Sequence, residues 1–290
     1  MDEQQIQERR QKSQVALASV YNLPAMSATM LEVSQLLDDP STNTTVLSKV
    51  IGKDQGLSTK VLSIANSPLY GLTRKVSTID FAILIIGYQD IKNIVVALTM
   101  VESFKNKSDK YLDQNEFWTH SMIAGTAAKK VAEDLGHKIG SEAFVAGLLH
   151  DLGVPVMHKF FRDEFAAIVT EIEEQETELL ATEEKHLGMN HQEIGKFLAT
   201  KWHLPEHLSN AIEFHHKPSM SEDDMLTSVV HLVDYMLNKL EVGNFYLDKG
   251  IELDESVLSV LGISPDQDMD EFVESYREIF TEEINSDLFS

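Results

Sequence analysis

Apolar residues recur along this chain at every third or fourth position, which is the spacing of one face of an α-helix. Clear examples are Leu57, Val61, Leu62 and Ala65, and further along Met122, Ala127, Val131 and Leu135. The alternation of apolar and polar residues that is typical of strands is scarce. The hydrophobic pattern therefore predicts an all-α protein with about fifteen short helices.

Helix-capping residues support this prediction. Ser77 stands just before the apolar run that Gly87 closes, as expected at the start of a helix. Gly136 predicts the end of a helix that begins near Asn115. Pro205 is placed as the first residue of a helical turn, where its missing N–H is harmless. These signals divide the chain into helices joined by short connections.

A polar stretch at residues 105–114 separates two apolar helical patterns and indicates a boundary. We predict an N-terminal helical subdomain at 13–106 and a second helical subdomain at 115–240. The last segment, 241–290, carries 14 acidic residues against 2 basic ones, but it keeps apolar residues at helical spacing. We therefore expect an acidic helical appendage that docks on the protein, rather than a disordered tail.

Composition narrows the range of functions. The 24 basic and 47 acidic residues give a net charge of −23, which repels phosphate backbones and anionic lipids, so we expect neither nucleic-acid nor membrane binding. The chain has no cysteine, which excludes disulfides and thiolate metal sites. Its start is polar, and its longest apolar runs are too short to cross a bilayer. These features predict a cytoplasmic protein.

Histidine is abundant, with 11 residues, and part of this set lies with aspartate on consecutive predicted helices. The residues concerned are His120, His150, Asp151, His191, His215, His216 and Asp234. Neutral imidazole nitrogens and carboxylate oxygens, held by the rigid helices of a bundle, are ligands of divalent transition metals. We therefore predict a metal site, with Glu116, one turn before His120, as a further carboxylate candidate.

Other interpretations of the histidines stay open. Without an ion, the same residues would form a hydrogen-bonded network of histidine and aspartate in the core. His231 shares a helical face with Asp234, and it either supports a ligand or simply packs in the core. The remaining histidines fit no metal position and are interpreted as solvated or capping residues: His137, His158, His186, His203 and His207.

Seven stretches of the chain carry a resemblance to a known family. They are LPAM (23–26), DQGLSTKVLSIANSPLYG (54–71), AILIIG (82–87), AGLLHDLG (146–153), NHQEIG (190–195), WHLPEHL (202–208) and HHKP (215–218). Together with the order of the histidines and aspartates, they resemble the HDOD family of bacterial signalling output domains, within the HD superfamily of metal-dependent phosphohydrolases. The resemblance implies a multi-helical HD-like bundle with an additional N-terminal helical subdomain.

The resemblance also implies a set of metal ligands. The four-ligand set of the superfamily corresponds here to His120, His150, Asp151 and Asp234. Relatives that hold two metals add histidines corresponding to His191, His215 and His216, and their aspartate, here Asp151, bridges the two ions. The expected cofactor is one or two divalent ions of iron, manganese, zinc or nickel.

The chain departs from the active phosphodiesterase branch of the superfamily at two places. Val154 replaces the lysine of the HDxGK motif, and Lys217-Pro218-Ser219 replaces the Gly-Tyr-Pro triplet after the paired histidines. HDOD proteins are regarded as regulatory modules with no established catalytic activity. We therefore expect a signal-transduction module that binds signalling proteins and keeps its metal site.

Two alternatives from other functional classes remain. The first is a metal-dependent phosphohydrolase that acts on a nucleotide or cyclic dinucleotide, with Asp151 and His191 as its catalytic candidates. The second is a helical scaffold that holds no ion. The chain also offers a small basic area as a candidate contact for an anionic small molecule. It consists of Lys53, Arg74 and Lys75.

Overall fold

The structure is a computed structural model, and it describes residues 3–19, 32–33, 35–36, 39, 42–68, 72, 74–202, 204–221, 224–243, 245, 247 and 250–284. Within these ranges the regular secondary structure is helical and no β-strand occurs, so the prediction of an all-α protein is confirmed. None of the helices in these ranges combines the length and apolarity needed to cross a bilayer. The predictions on residues 23–26 and 69–71 and on His203 lie outside the described residues.

The first part of the chain contains five of these helices. They are α1 (Glu3–Ser19), α2 (Thr44–Ile51), α3 (Gln55–Ala65), α4 (Ile79–Ile86) and α5 (Tyr88–Phe104). Helix α4 packs on α2, α3 and α5. It begins one residue later than predicted, because the hydroxyl of Thr78, and not of Ser77, accepts the N–H of Phe81. Gly87 ends α4 as predicted, and its positive φ of 101° is one that glycine adopts without strain.

The central part of the chain forms a bundle around α7. Its helices are α6 (Gln114–Asp134), α7 (Gly140–Leu149), α8 (Gly153–Phe160), α9 (Arg162–Gln175), α10 (Leu179–Leu187), α11 (His191–Lys201), α12 (Glu206–Phe214) and α13 (Asp224–Leu240). Helix α7 packs on α6, α12 and α13, and also on α5 from the first part of the chain. Gly136 follows the end of α6 as predicted, whereas Pro205 precedes the first turn of α12 instead of lying in it.

Three short helices follow the bundle. They are α14 (Ser256–Leu261), α15 (Met269–Glu274) and α16 (Arg277–Ile284). Helices α14 and α15 pack on α13, and α16 packs on α6. Polar contacts reinforce this packing, since the Tyr276 hydroxyl donates to Asp134 at 3.1 Å and the Arg277 guanidinium donates to the Leu240 carbonyl at 3.0 Å. The acidic segment thus presents apolar residues to the bundle.

The loop between α5 and α6 does not separate the apolar cores on its two sides. The Phe104 ring at the end of α5 stacks on Trp202 after α11, with 5.8 Å between the ring centroids. The Lys159 ammonium on α8 donates to the Ser103 carbonyl at 3.1 Å. Buried apolar residues from both sides of the loop form one continuous cluster. The division of the chain into three units stays a prediction.

Candidate metal centre

The close approach of α6 and α7 brings His120 and His150 together. A Cβ atom on Gly147 would lie 2.6 Å from the Ala124 carbonyl oxygen, so only a glycine allows this distance between the two helices. Three residues after Gly147, the Nε2 atom of His150 lies 3.4 Å from the Nε2 atom of His120. Helix packing therefore positions these two imidazoles.

A second close approach brings Asp151 to the start of α11. Helix α7 ends at Leu149 and α8 begins at Gly153, so His150 and Asp151 lie in the turn between them. A Cβ atom on Gly153 would lie 2.0 Å from the carbonyl oxygen of His191, which shows that the backbones of α8 and α11 touch here. As a result, Asp151 Oδ1 lies 3.4 Å from His191 Nε2.

Asp151 lies between two groups of ligand atoms. Its Oδ1 atom is 3.4 Å from Nε2 of both His191 and His215, and its Oδ2 atom is 3.3 Å from Nε2 of His150. We call His191, His215 and His216 with Oδ1 the first half of the cluster. We call His120, His150 and Asp234 with Oδ2 the second half. All seven predicted residues belong to sets whose ligand atoms lie within 4.8 Å of one another.

Hydrogen bonds on the outer side of the cluster orient three of its imidazoles. The Nδ1 atoms of His120, His150 and His215 each lie within hydrogen-bond distance of a backbone carbonyl oxygen. These acceptors are Gly243 at 2.8 Å, Gly147 at 2.7 Å and Ile212 at 2.8 Å, in that order. Because a carbonyl only accepts, Nδ1 must carry the proton, and the neutral ring then directs an Nε2 lone pair toward Asp151.

Glu183 on α10 orients the fourth imidazole, and the sequence analysis missed it. Its carboxylate lies 2.9 Å from Nδ1 of His191 and also accepts the backbone N–H of His191 at 2.8 Å. The Glu183 side chain is buried, with a relative exposure of 1 %. No motif or spacing marks this residue, because it lies in a polar stretch, Thr182 to His186, that is typical of an exposed helix face.

His231 supports the cluster from outside and is not positioned as a ligand. Its Nδ1–H donates to the carbonyl of His215 at 2.7 Å, and its Nε2 accepts the N–H of Asp254 at 2.9 Å. Both ring nitrogens are therefore engaged away from Asp151. Of the two roles left open for His231, the structure favours the supporting one, since the ring holds the backbone of a ligand candidate.

Two sequence-based interpretations need correction. The Glu116 side chain is exposed to solvent, so it does not line the buried cluster although it lies one turn before His120. Residues four apart on a helix share a face but are separated by one turn along the helix axis. At Glu116 this face has already reached the protein surface. His158 was expected to be solvated or capping, but it is buried, and its Nε2 lies 3.1 Å from the carboxylate of Asp109.

Burial and charge move the pKa values of the cluster in opposite directions. Burial lowers the pKa of His120 and of His215 to about 4, and it lowers that of His216 well below its usual value. Burial also acts on His150, but the Asp151 carboxylate outweighs it and raises the pKa of His150 to about 9. For His191, Glu183 likewise outweighs burial and raises the pKa.

The donor set of the cluster fits a divalent transition-metal ion. Both oxygens of Asp151 are buried, and neither accepts a hydrogen bond of normal geometry from the described residues. The fully buried side chains among these residues include no lysine or arginine that would neutralise the carboxylates of Asp151 and Asp234. Inward imidazole lone pairs and buried carboxylate oxygens repel one another unless a proton or a metal ion lies between them.

Comparison with known proteins identifies the family and agrees with the fold. A family model described as HDOD domain matches residues 23–218, which is more than half of the chain. The chain therefore belongs to the HDOD family. A curated relative, an uncharacterized protein of Treponema pallidum (strain Nichols), is 25 % identical over 217 residues, or 73 % of this chain. This chain spans 41 % of the length of that relative.

Three solved structures share the fold. An HDOD domain protein of unknown function from Geobacter sulfurreducens has a TM-score of 0.78 and 24 % identity, covering 98 % of this chain and 99 % of its own. A proposed signal transduction protein from Marinobacter aquaeolei VT8 has a TM-score of 0.71 and 19 % identity, with coverage of 97 % and 66 %. A proposed phosphohydrolase from Shewanella amazonensis SB2B has a TM-score of 0.67 and 22 % identity, covering 93 % of this chain and 97 % of its own. The predicted HD-like multi-helical fold is thus confirmed.

Proposed function

We propose that this protein is a regulatory signalling module that holds one or two divalent transition-metal ions in its buried cluster. In this proposal the ions are structural or sensing elements, and the protein acts through contacts with partner proteins. The ligands would come from α6, from the turn before α8, from the start of α11, from the end of α12 and from α13. A bound ion would therefore join most of the bundle.

The observation that carries this proposal is the closure of the cluster. Six of its members have a relative exposure of 2 % or less, namely His120, His150, Asp151, His191, His215 and Asp234. The segment after α13 covers the second half, where Phe245 packs on His120 with 6.3 Å between the ring centroids. A phosphate ester would need a path to the ions, so a closed cluster favours regulation over turnover.

Position 154 supports the same choice. Val154 is buried with a relative exposure of 1 %, and it stands where active relatives carry a lysine that meets the substrate phosphate. A valine offers no charge and no hydrogen bond to a phosphate.

The first half of the cluster would hold one ion through Asp151 Oδ1, His191, His215 and His216, and the second half would hold another through Oδ2, His120, His150 and Asp234. A bound ion of this kind supplies Lewis acidity and cross-links its ligands. The protein's own groups fix the imidazoles beforehand, since each outward hydrogen bond holds one ring in the orientation that a ligand needs.

Exposed apolar side chains on the N-terminal part support the expectation of partner proteins. Phe81 and Leu84 on α4 have relative exposures of 42 % and 73 %. Large apolar side chains exposed on one helix face are typical of surfaces that bind other proteins.

Of the basic residues predicted to contact an anionic small molecule, Lys53 pairs with Glu32, so Arg74 and Lys75 remain the candidates.

A phosphohydrolase is the second candidate function, and one observation favours it. Asp151 directs one oxygen to each half of the cluster, as a ligand shared by two ions would. His191 would be the proton donor only where its Nε2 atom binds no ion, because a nitrogen that ligates a metal carries no proton; Glu183 stabilises the protonated form of the ring. This candidate requires that a substrate reaches a cluster in which six of the seven ligand candidates are buried and His216 is half-buried.

Metal loading and turnover separate these functions. The metal-depleted protein would be titrated with Mn²⁺ or Fe²⁺ without oxygen, and thermal unfolding and hydrolysis of a cyclic dinucleotide would be followed. We expect the ions to raise the unfolding temperature, because they bind preferentially to the folded state. We expect no hydrolysis that depends on Asp151, as judged by comparison with Asp151→Asn. Turnover that depends on Asp151 would establish the phosphohydrolase instead. If no ion changes the unfolding temperature, the remaining function is that of a helical scaffold that holds no ion.

A further inference from the structure

The N-terminal helix α1 docks on the end of α10 through polar contacts. The Arg9 guanidinium donates to the Lys185 carbonyl at 2.6 Å, and the Ser13 hydroxyl donates to the Leu187 carbonyl at 2.7 Å. Only Ser13 and Leu17 are fully buried among the described side chains of α1. Hydrogen bonds to the free carbonyls of a helix end, rather than a large apolar face, therefore hold α1 in place.

Arg10 differs from its neighbours because it also contacts α11. Its guanidinium donates to the Gly188 carbonyl at 3.1 Å and forms two contacts with the Glu193 carboxylate. Glu193 is the third residue of α11, and its carboxylate accepts the N–H of Asn190. The Asn190 side chain in turn accepts the N–H of Glu193 at 3.0 Å, which completes a capping box.

This capping box sets the position of His191. Asn190 is the N-cap of α11 and His191 is its first residue, so the box determines where the His191 backbone lies. Arg10 anchors the connection on both sides, through the Gly188 carbonyl and through Glu193. A displacement of the helix start would move the imidazole away from Asp151 Oδ1, which is 3.4 Å from its Nε2 atom.

Gly188 allows α1 to lie close enough for these contacts. Its φ of 70° is in the left-handed region that ends α10, and a Cβ atom there would lie 2.3 Å from the Arg10 backbone nitrogen. The backbone of α1 thus touches the connection between α10 and α11. Helix α1 lies outside residues 23–218, the part that the family model covers. Its contribution to the site is therefore separate from the family pattern.

We propose that Arg10 is a positioning residue for the first half of the metal centre, acting through Gly188, Glu193 and the capping box on His191. The inference rests on the proposed metal centre, and it links the contacts of Arg10 with Gly188 and Glu193 to metal affinity. The second half of the cluster contains no residue of α11 and shares only Asp151, which precedes α8, with the first half, so we expect its affinity to be unchanged when Arg10 is replaced.

The test uses Co²⁺ as the probe and compares matched variants of the full chain. Arg10→Met removes the guanidinium and keeps an unbranched side chain. Arg9→Met is the control, because among the residues that the structure describes Arg9 contacts the Lys185 and His186 carbonyls of α10 and no atom of α11. Arg10→Lys restores the charge but not the two-pronged contact with the carboxylate. Titration by visible absorption measures each Co²⁺ affinity, and amide hydrogen exchange of residues 188–194 measures the order of the helix start.

We expect Arg10→Met to lower the affinity for one of the two Co²⁺ ions by about tenfold, since outer partners of metal ligands typically contribute this much. The affinity for the other ion should stay unchanged. Amide exchange at 188–194 rises in Arg10→Met, rises less in Arg10→Lys, and stays as in the wild type in Arg9→Met. Equal effects of Arg9→Met and Arg10→Met would overturn the inference. If the wild type binds no Co²⁺, the proposed metal centre fails, and the exchange data alone decide whether Arg10 positions His191.

Discussion

Each imidazole that is oriented by a backbone carbonyl carries its proton on the side that faces away from Asp151. His120, His150 and His215 share this arrangement. The carbonyl acceptors leave no choice of tautomer, so each of these rings presents an Nε2 lone pair to one small volume once it is neutral. Such a volume stabilises a cation, and a metal ion can take the place of the proton that His150 holds in the metal-free protein.

Glu183 provides a test of the outer contacts of the cluster. Glu183→Gln keeps a hydrogen-bond acceptor for His191 but removes the negative charge that strengthens the imidazole as a ligand. We expect metal affinity to fall by about 10-fold to 100-fold, measured by competition with a chelator. Glu174→Gln, at an exposed position of α9, is the control. Unchanged affinity in Glu183→Gln would show that the carboxylate only supports the fold.

The metal-free protein should show a maximum of stability near neutral pH. The folded-state pKa values of His120 and His215 are about 4, below the usual 6.5, so between these values the unfolded chain binds more protons and the unfolding free energy rises with pH. The pKa of His150 is about 9, so above 6.5 the folded chain binds more protons and the unfolding free energy falls.

Urea unfolding of the metal-depleted protein at several pH values measures this profile. In Asp151→Asn the fall on the alkaline side should become smaller, because Asp151 is the main group that raises the pKa of His150. Part of the fall should stay, since Asp234 also acts on His150 and Glu183 raises the pKa of His191. Saturating metal should remove the same fall, since the ion takes the place of the proton. A free energy that keeps rising between pH 6.5 and 9 in the metal-free wild type would contradict the assignment of His150.

At the scale of helices, backbone contact between α8 and α11 determines whether the cluster forms. Gly153→Ala places a Cβ atom against the His191 carbonyl, with an initial distance of 2.0 Å. We expect a loss of about 3 kcal/mol in unfolding free energy, together with a loss of metal binding. Gly56→Ala on α3 is the control, because its Cβ atom would meet only Asp54 at 3.5 Å, and it should gain about 0.5 kcal/mol.

Chemical denaturation and metal titration of the two variants test this prediction. A Gly153→Ala protein that is as stable as the wild type would show that α8 and α11 have more room than the structure indicates. Loss of stability with unchanged metal affinity would show that the ligands do not depend on this helix contact.

Helices were easier to predict from the sequence than the contacts that orient the ligands. Apolar spacing and caps are local, so they predicted α3, α4 and α6 with small errors such as Ser77 for Thr78. The resemblance named the ligand candidates through their order along the chain. Glu183 and the Gly243 carbonyl escaped prediction because their roles arise from tertiary packing, and a backbone carbonyl has no sequence signal.

For the whole molecule, the continuous core predicts a single unfolding transition. Stacking of Phe104 on Trp202 and the packing of α5 on α7 join the N-terminal helices to the bundle. The three predicted units are therefore expected to unfold together although the chain has 290 residues. We expect the acidic segment to unfold with them, since it supplies the Gly243 carbonyl to His120.

Two probes of urea unfolding test this cooperativity. Trp118 and Trp202 are the two tryptophans of the chain. In Trp202→Phe, fluorescence reports only Trp118 in the bundle, whereas circular dichroism reports all helices. We expect the two midpoints to coincide. An earlier midpoint by circular dichroism would mean that part of the chain unfolds while the bundle around the cluster stays folded.

The metal content of the protein tests the central claim most directly. Elemental analysis would compare wild type, Asp151→Asn and the exposed control Asp266→Asn, each purified without chelator. We expect one or two equivalents of iron, manganese, zinc or nickel in the wild type and in Asp266→Asn, and a clear loss in Asp151→Asn. A folded wild type without metal, or metal that stays bound in Asp151→Asn, would contradict the claim.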